Sequence, residues 1–309
     1  MLASQKHIPV MLNQVLQNLD IKDDATYVDA TFGFGGYTSA ILEKANCKVI
    51  SVDRDPVVLP RVQELKEKYK NRFEFKSGNF SNLEELISEQ VDGIVFDIGV
   101  SSMQLDDASR GFSFCKKAKL DMRMSQTGLS AYDIVNTYPE EKIADILYQF
   151  GEEKKSRQIA KKIIESRLQK KIETTTELAE IIYGIIHKKV GEIDPATRTF
   201  QALRIAVNDE LSELTEGLNA AIRLLKSEAR LVVVDFHSLE DRIVKNFFKE
   251  NTTPKIHLSR YAQKQQSPQK AFSYASKAIL PTAQEISENP RARSAKLRFA
   301  IKDKGEHND

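Results

Sequence analysis

The sequence has two cysteines in 309 residues, Cys47 and Cys115, too few for a disulfide framework. Neither lies in a C-x-x-C pair or in a metal-ligand spacing, so no resident metal is expected, and the reducing cytoplasm is the expected location. The N-terminus shows no basic-then-apolar leader. No uninterrupted apolar run approaches the length that spans a bilayer, so no membrane association is expected. An excess of charge of one sign is missing too: 46 Lys and Arg against 44 Asp and Glu leave a formal net charge of +2. That excludes a globally basic surface, and any nucleic-acid contact has to come from local patches. Internal repeats and low-complexity tracts are absent. The chain does have 41% apolar residues, enough for a large core in one big domain or two.

The chain is organised around Thr26 to Tyr37, read together with Asp53. Tyr27-Val28-Asp29-Ala30 is a short apolar run ending in a carboxylate, followed by Thr31-Phe32-Gly33-Phe34-Gly35-Gly36 and an amphipathic segment from Tyr37 to Lys44. The pattern predicts strand, glycine turn, helix. A second apolar run, Cys47 to Val52, closes on Asp53, where nucleotide-binding α/β folds place an acid on the ribose hydroxyls. Gly33, Gly35 and Gly36 suit a turn that needs positive φ and close approach of a ligand to the backbone. Gly33-x-Gly35-Gly36 lacks the third glycine of the dinucleotide fingerprint, and its strand already ends in Asp29. A pyrophosphate is disfavoured beside that carboxylate. S-adenosylmethionine has no phosphate and carries a sulfonium, so an acid at the lip of the turn is tolerable or useful to it.

A strand–helix rhythm follows. Val57 to Tyr69 reads as a helix, Phe73 to Lys76 as a strand, Leu83 to Glu89 as a short helix and Asp92 to Asp97 as a buried strand ending in a carboxylate. The next buried strand, Arg230 to Asp235, comes far later than the roughly 12 to 40 residues a crossover needs. An insertion is therefore predicted, and it reads as helices: Glu140 to Phe150, Lys154 to Leu168, Glu177 to Ile186 with a Thr174/Glu177 capping box, and Asp194-Pro195 opening a helix to Val207. The expected organisation is a first part of the α/β domain at 1–115, an inserted helical domain at 116–208 and a second part at 209–309. After Asp235, Ser238 is the expected cap of a helix running to Lys249. Asn251 to Gln284 contains no acid, while Lys255, Arg260, Lys264, Lys270 and Lys277 alternate with Tyr261, Phe272 and Tyr274. Cations neutralise phosphates and aromatics stack on bases, which makes this stretch a candidate RNA contact, with a plain surface loop as the alternative.

Several strings are unusual in combination: Asp29-Ala-Thr-Phe-Gly-Phe-Gly-Gly36, Asp97-Ile-Gly-Val-Ser-Ser102, Gln104-Leu-Asp-Asp107, Arg110-Gly-Phe-Ser-Phe114, Leu120-Asp-Met-Arg-Met124, Pro195-Ala-Thr-Arg-Thr-Phe-Gln201, Phe236-His-Ser-Leu-Glu-Asp-Arg242 and Asn289-Pro-Arg-Ala-Arg-Ser294. In this order, from His7 to about Lys302, the chain closely resembles the bacterial ribosomal RNA small-subunit methyltransferase H family, also called MraW. The resemblance implies a Rossmann-like S-adenosylmethionine-dependent methyltransferase sheet, class α/β, with an inserted all-helical domain. It implies N4-methylation of a cytosine in the decoding region of small-subunit (16S) ribosomal RNA, as free RNA or in the assembled subunit. A homodimer is left open. The family's cofactor contacts map onto Gly35, Gly36, Tyr37, Asp53, Phe80, Asp97 and Gln104. Tyr37 departs from the histidine usual after the paired glycines, and Met103 stands where proline is common.

Methyl transfer to a cytosine amine needs an acceptor for one N–H, because the nitrogen lone pair is delocalised into the ring. Asp97 and His237 are the candidate catalytic groups. Phe112, Phe114 and Phe236 are candidates for stacking on the target base, and Arg110, Arg123, Arg198, Arg291 and Arg293 for binding phosphate. DNA amino-methylation is the rival activity, disfavoured because Asp97-Ile98-Gly99-Val100 lacks the Pro-Pro-aromatic sequence usual there. A non-catalytic ribosome-assembly factor that retains a donor pocket is the non-enzymatic alternative.

Overall fold

The computed structural model describes residues 9–187, 191–252 and 270–304, which fall into two compact units. One combines the segments up to Gly99 and from Leu211 onward, and the other is Val100–Glu210. The second unit begins earlier than the 116 expected, because residues 100–115 pack with it: Val100, Leu105, Phe112 and Phe114 all join its apolar cluster.

In the first unit α1 (Leu12–Leu19) leads into β1 (Thr26–Asp29), α2 (Gly36–Lys44), β2 (Lys48–Asp53), α3 (Leu59–Tyr69), β3 (Phe73–Ser77), α4 (Leu83–Leu86) and β4 (Val91–Asp97). The second unit contains α5 (Ser102–Asp106), α6 (Ala131–Thr137), α7 (Glu140–Gly151), α8 (Ser156–Gln169), α9 (Thr175–Tyr183) and α10 (Ala196–Asn208). The chain then returns through α11 (Glu210–Leu224) to β5 (Leu225–Asp235), α12 (Ser238–Asn251), β6 (Phe272–Ala275), α13 (Ala283–Glu288) and β7 (Lys296–Lys302). No helix among the described residues is long and apolar enough to cross a membrane.

The seven strands form one sheet in the order β3-β2-β1-β4-β5-β7-β6. Strands β1 to β5 are parallel, while β7 pairs antiparallel with both β5 and β6. This is a Rossmann-like sheet, as the sequence resemblance implied. From β1 the order runs through β2 and β3 to one side and through β4 and β5 to the other, so the direction of winding switches between β1 and β4. In open α/β sheets ligands bind outside the carboxyl ends of the strands at such a point. Continuous apolar runs make the central strands two-sided: Ile94, Val95 and Phe96 in β4 and Leu231 to Val234 in β5 are all 0% exposed.

Two elements differ from expectation. β5 starts at Leu225 rather than Arg230, with a break in register against β4 between Val91 and Gly93; the polar Lys226-Ser227-Glu228 stretch, with Glu228 at φ +61°, hid its first half. Phe272, expected as an RNA contact, is core: it is fully buried and packs edge-on against Phe248 at 5.7 Å and Phe247 at 6.2 Å. Lys255, Arg260, Tyr261 and Lys264 lie outside the described residues.

In the second unit the capping box is formed as read, with Thr174 and Glu177 satisfying each other's backbone amides at the start of α9. Asp194 Oδ1 accepts the Ala196 amide at 3.0 Å and opens α10. Ile143, Leu147, Ile159, Ile163, Leu178, Ile182 and Leu203, drawn from five of its helices with Ile134, form the core of this unit.

Candidate functional site

Four of the five parallel strands end in aspartate: Asp29 on β1, Asp53 on β2, Asp97 on β4 and Asp235 on β5. The carboxyl edge of the sheet is therefore acidic, and Asp29 and Asp97 flank the switch point.

Asp29 does not sit at the lip of the turn as the sequence suggested. It is fully buried, and its Oδ2 accepts the Thr38 hydroxyl at 2.6 Å while Oδ1 accepts the Thr31 amide at 3.3 Å. Burial pushes its carboxyl up to about 6, partly offset by the Thr38 and Thr31 hydrogen bonds. The glycine turn above it is anchored from the neighbouring strand. Asp53 Oδ2 accepts the Gly33 amide at 2.8 Å, and Oδ1 accepts the Asp55 amide at 2.9 Å. Each oxygen keeps a further lone pair for a ligand hydroxyl. Burial raises the Asp53 carboxyl against the pull of these two amides.

The glycines also serve packing. Gly35 caps α2 at φ +71°, and a Cβ there would meet the Phe32 ring at 2.8 Å. A Cβ on Gly36 would stand 2.3 Å from Pro9 Cγ. Close approach of chain to chain thus accounts for the glycine pair as well as any ligand does. Arg61 on α3 clamps the same turn, with Nε donating to the Phe34 carbonyl at 3.3 Å and its guanidinium 5.4 Å from the Phe34 ring. Nothing in the local sequence pointed to that residue.

Tyr37, the departure from the family pattern, is buried, and its hydroxyl donates to the Val10 carbonyl. Burial first, then Asp97 and Asp29, raise its phenol well above the usual range. Its side chain pins α2 to the segment before α1, which leaves only its backbone for a cofactor. Phe80 lies in the turn after β3, half-buried, edge-on to Phe96 at 5.6 Å. A Cβ on Gly217 of α11 would approach its ring to 2.8 Å.

Asp97 is half-buried, with one carboxylate oxygen fully enclosed and its hydrogen-bonding capacity unmet. Its amide donates to Thr31 Oγ1 at 2.7 Å, while its Oδ1 is sealed from solvent and has no hydrogen-bond partner among the described residues. Burial, then the Asp29 and Glu240 carboxylates, push it up to about 8. Asp235, which sequence reading used only as a strand end, is fully buried with neither carboxylate oxygen hydrogen-bonded, and it too is pushed up to about 8 by burial and by Asp241 and Glu240. A buried polar group without a partner is costly, and such groups concentrate where a site has yet to receive its ligand.

His237 corrects one expectation and narrows another. It, not Ser238, caps α12: Nδ1 accepts the Glu240 amide at 3.4 Å, and Glu240 Oε2 accepts the His237 and Phe236 amides at 3.2 and 2.9 Å. Nε2 lies 3.0 Å from Glu240 Oε1 and makes no hydrogen bond among the described residues. The cap takes up Nδ1, so the role expected of His237 as proton acceptor would fall to Nε2. Phe236 stays half-buried beside Gly99, at the ends of β5 and β4.

The other expected residues divide between the units. Gln104 belongs to the second, where it is buried and its Oε1 accepts the Ser101 amide at 2.9 Å in the capping box of α5. Arg110 and Arg123 are there as well, occupied internally. Arg110 donates to the Arg123 and Met124 carbonyls, each at 2.9 Å, and Arg123 forks onto Asp121 at 3.0 and 2.7 Å. Neither guanidinium is a free phosphate contact. Phe112 is core, and Phe114 packs on Phe200 at 5.1 Å. Arg198 is exposed on α10, and Arg291 and Arg293 are exposed on the turn Pro290–Ser294.

A sequence model of the MraW methylase family matches residues 4–303. The ribosomal RNA small subunit methyltransferase H of Rickettsia bellii (strain OSU 85-389) is 51% identical over 302 residues, covering 96% of this chain and 99% of that protein. Its counterpart from Rickettsia akari (strain Hartford) is 52% identical over 302 residues, covering 96% and 99%. Among solved structures, an rRNA methylase from Streptococcus thermophilus aligns with a TM-score of 0.42 at 12% identity, covering 94% of this chain and 93% of that one. With the family pattern running from residue 4 to 303 and half the positions shared along nearly the full length of such relatives, the chain belongs to the MraW methylase family.

Proposed function

We propose that the protein transfers a methyl group from S-adenosylmethionine to the exocyclic N4 of a cytosine in the decoding region of small-subunit ribosomal RNA, acting in the cytoplasm on the free RNA or the assembled subunit. The observation that carries this reading is the identity of about half of all positions with relatives named for small-subunit ribosomal RNA methylation. The glycine turn held by Asp53 supports the choice of donor.

S-adenosylmethionine supplies, when bound, a methyl group activated on a sulfonium cation. The residues present suit it. The Gly33–Gly36 turn offers backbone at the switch point, and Asp53 has lone pairs left for ribose hydroxyls. Phe80 offers a half-exposed ring.

Asp97 is the group we assign to the amine. An acceptor for one N–H concentrates the lone pair on nitrogen, and Asp97 Oδ1 is the buried, unpartnered oxygen at the end of the strand beside the turn. Phe236 would stack on an unpaired base, with Arg291 and Arg293 the exposed cations of the same unit for phosphate; Arg198 is an exposed cation of the other unit. The test is incubation with labelled donor of small subunits, and separately of naked small-subunit RNA, lacking the modification. N4-methylcytidine in the nucleoside digest is expected, and its absence from both substrates would refute the reading.

A further inference from the structure

The second unit carries a basic surface that its own packing does not use. α8 buries Ile159, Ala160 and Ile163 and turns Arg157, Lys161 and Lys162 to solvent. Lys154, in the turn that leads into the helix, is exposed as well. α7 packs on α8, and Tyr148 in its last turns is 65% exposed. Lys162 is paired with Glu165 at 3.1 Å, and Lys155 donates to the Ile185 carbonyl at 2.9 Å. Lys154, Arg157 and Lys161 make no hydrogen bond or ion pair with the described residues.

Helix stability does not account for these three cations. α8 has no acid in its first turn, and positive charge there opposes the helix dipole. Arg157 and Lys161 stand four residues apart, so like charges lie side by side on one face. Glu165, four residues beyond Lys161 and paired with Lys162, relieves the C-terminal end of this face. Its N-terminal end keeps both effects, and an anionic partner supplies counter-charge there.

We propose that this face of α8 docks the phosphate backbone of the RNA substrate, with Tyr148 as a platform for an unpaired base. The proposal rests on the ribosomal RNA reading above. An acidic protein surface offers the same charge, but unpaired cations on one helix with an exposed aromatic ring on the helix packed against it are the combination that suits single-stranded nucleic acid. The net charge of +2 makes such a patch necessary, because the protein has no general attraction for RNA.

The test compares wild type with the triple variant Lys154→Gln, Arg157→Gln, Lys161→Gln and with a charge-matched control, Lys44→Gln, Lys66→Gln, Lys249→Gln, drawn from exposed lysines of the first unit. The probe is an RNA fragment of the small-subunit decoding region, with binding followed across a salt series, methyl transfer measured on the same fragment and on small subunits, and folding checked by thermal melting. Losing three phosphate contacts lowers the slope of log affinity against log salt by about 2, and affinity at 0.1 M salt by on the order of 10- to 100-fold. KM for RNA rises by a similar factor while kcat is kept, and the control behaves as wild type. Tyr148→Ala weakens binding without changing the salt slope. If wild type methylates RNA but the α8 variant matches it, or the control loses as much, the surface is refuted while the function stands. Wild type that neither binds nor methylates either RNA substrate overturns both. Competition by polyglutamate as effective as by RNA reassigns the face to an acidic protein and refutes the proposal.

Discussion

Asp53 Oδ2 holds the Gly33 amide at 2.8 Å, tying the glycine turn after β1 to the end of β2. One carboxylate thereby sets the shape of the turn and, under the proposed function, also holds the donor's ribose. Removing it affects both.

Asp53→Ala is expected to weaken S-adenosylmethionine binding by roughly 10- to 100-fold, the loss of one charge-assisted hydrogen bond of about 1.5–3 kcal/mol. Asp53→Asn, which keeps one accepting oxygen, falls in between. Calorimetric titration with the donor or its demethylated product measures this, and an unchanged affinity for the alanine variant removes Asp53 from the donor site.

Asp97→Ala is expected to lower kcat by about 10²- to 10⁴-fold with a smaller change in donor affinity, as for a lost proton acceptor. Single-turnover rates at saturating donor separate the two effects. A loss confined to donor affinity would make Asp97 a cofactor contact and leave the amine acceptor to be found elsewhere.

His237→Ala is expected to destabilise the protein by about 1 kcal/mol through loss of the α12 cap, and His237→Asn or His237→Ser to restore most of it. If capping is its role, the restored variants also recover methyl transfer, since neither offers an imidazole. Stable but inactive Asn and Ser variants would return His237 to the chemistry.

Asp235 gives the protein a pH dependence with a definite sign. In the folded chain its carboxyl is pushed up to about 8, against about 4 in an unfolded one. Between these values the folded state binds the extra proton, so this group's contribution to stability falls as pH rises through the window and levels off above about 8. Melting of Asp235→Asn against wild type should show a Tm advantage that grows from pH 5 to 8. A difference that is flat with pH counts against a raised carboxyl at this position.

Much of the first unit was legible because each central strand is an apolar run closed by an aspartate, a local pattern that survives without tertiary context. The helical insertion was legible from the same logic in reverse, a gap too long for a crossover. Its leading edge was not, because Phe112 and Phe114 look the same in a loop at a sheet edge as in the core of a neighbouring unit. Tyr37 could be seen to depart from the family pattern, but its partner Val10 lies 27 residues away and no spacing rule joins them. His237 was misread for the opposite reason. Histidine is a rare cap, and only its geometry with Glu240 shows that it closes a capping box. Arg110 and Arg123 illustrate the limit for charge: a cation's identity is written in the sequence, but whether an internal carbonyl or carboxylate already occupies it is not.

The split of the first unit between the two ends of the chain has a consequence during synthesis. β4 is made early, yet its neighbour β5 follows only after the whole of Val100–Glu210. At roughly 5–20 residues per second, that interval lasts on the order of 5 to 20 s. Throughout it a nascent chain carries an apolar strand with one side unpaired, open to the wrong partner, while the intervening helices are free to condense on their own. The vulnerable moment for this protein is therefore on the translating ribosome, just before its last third emerges.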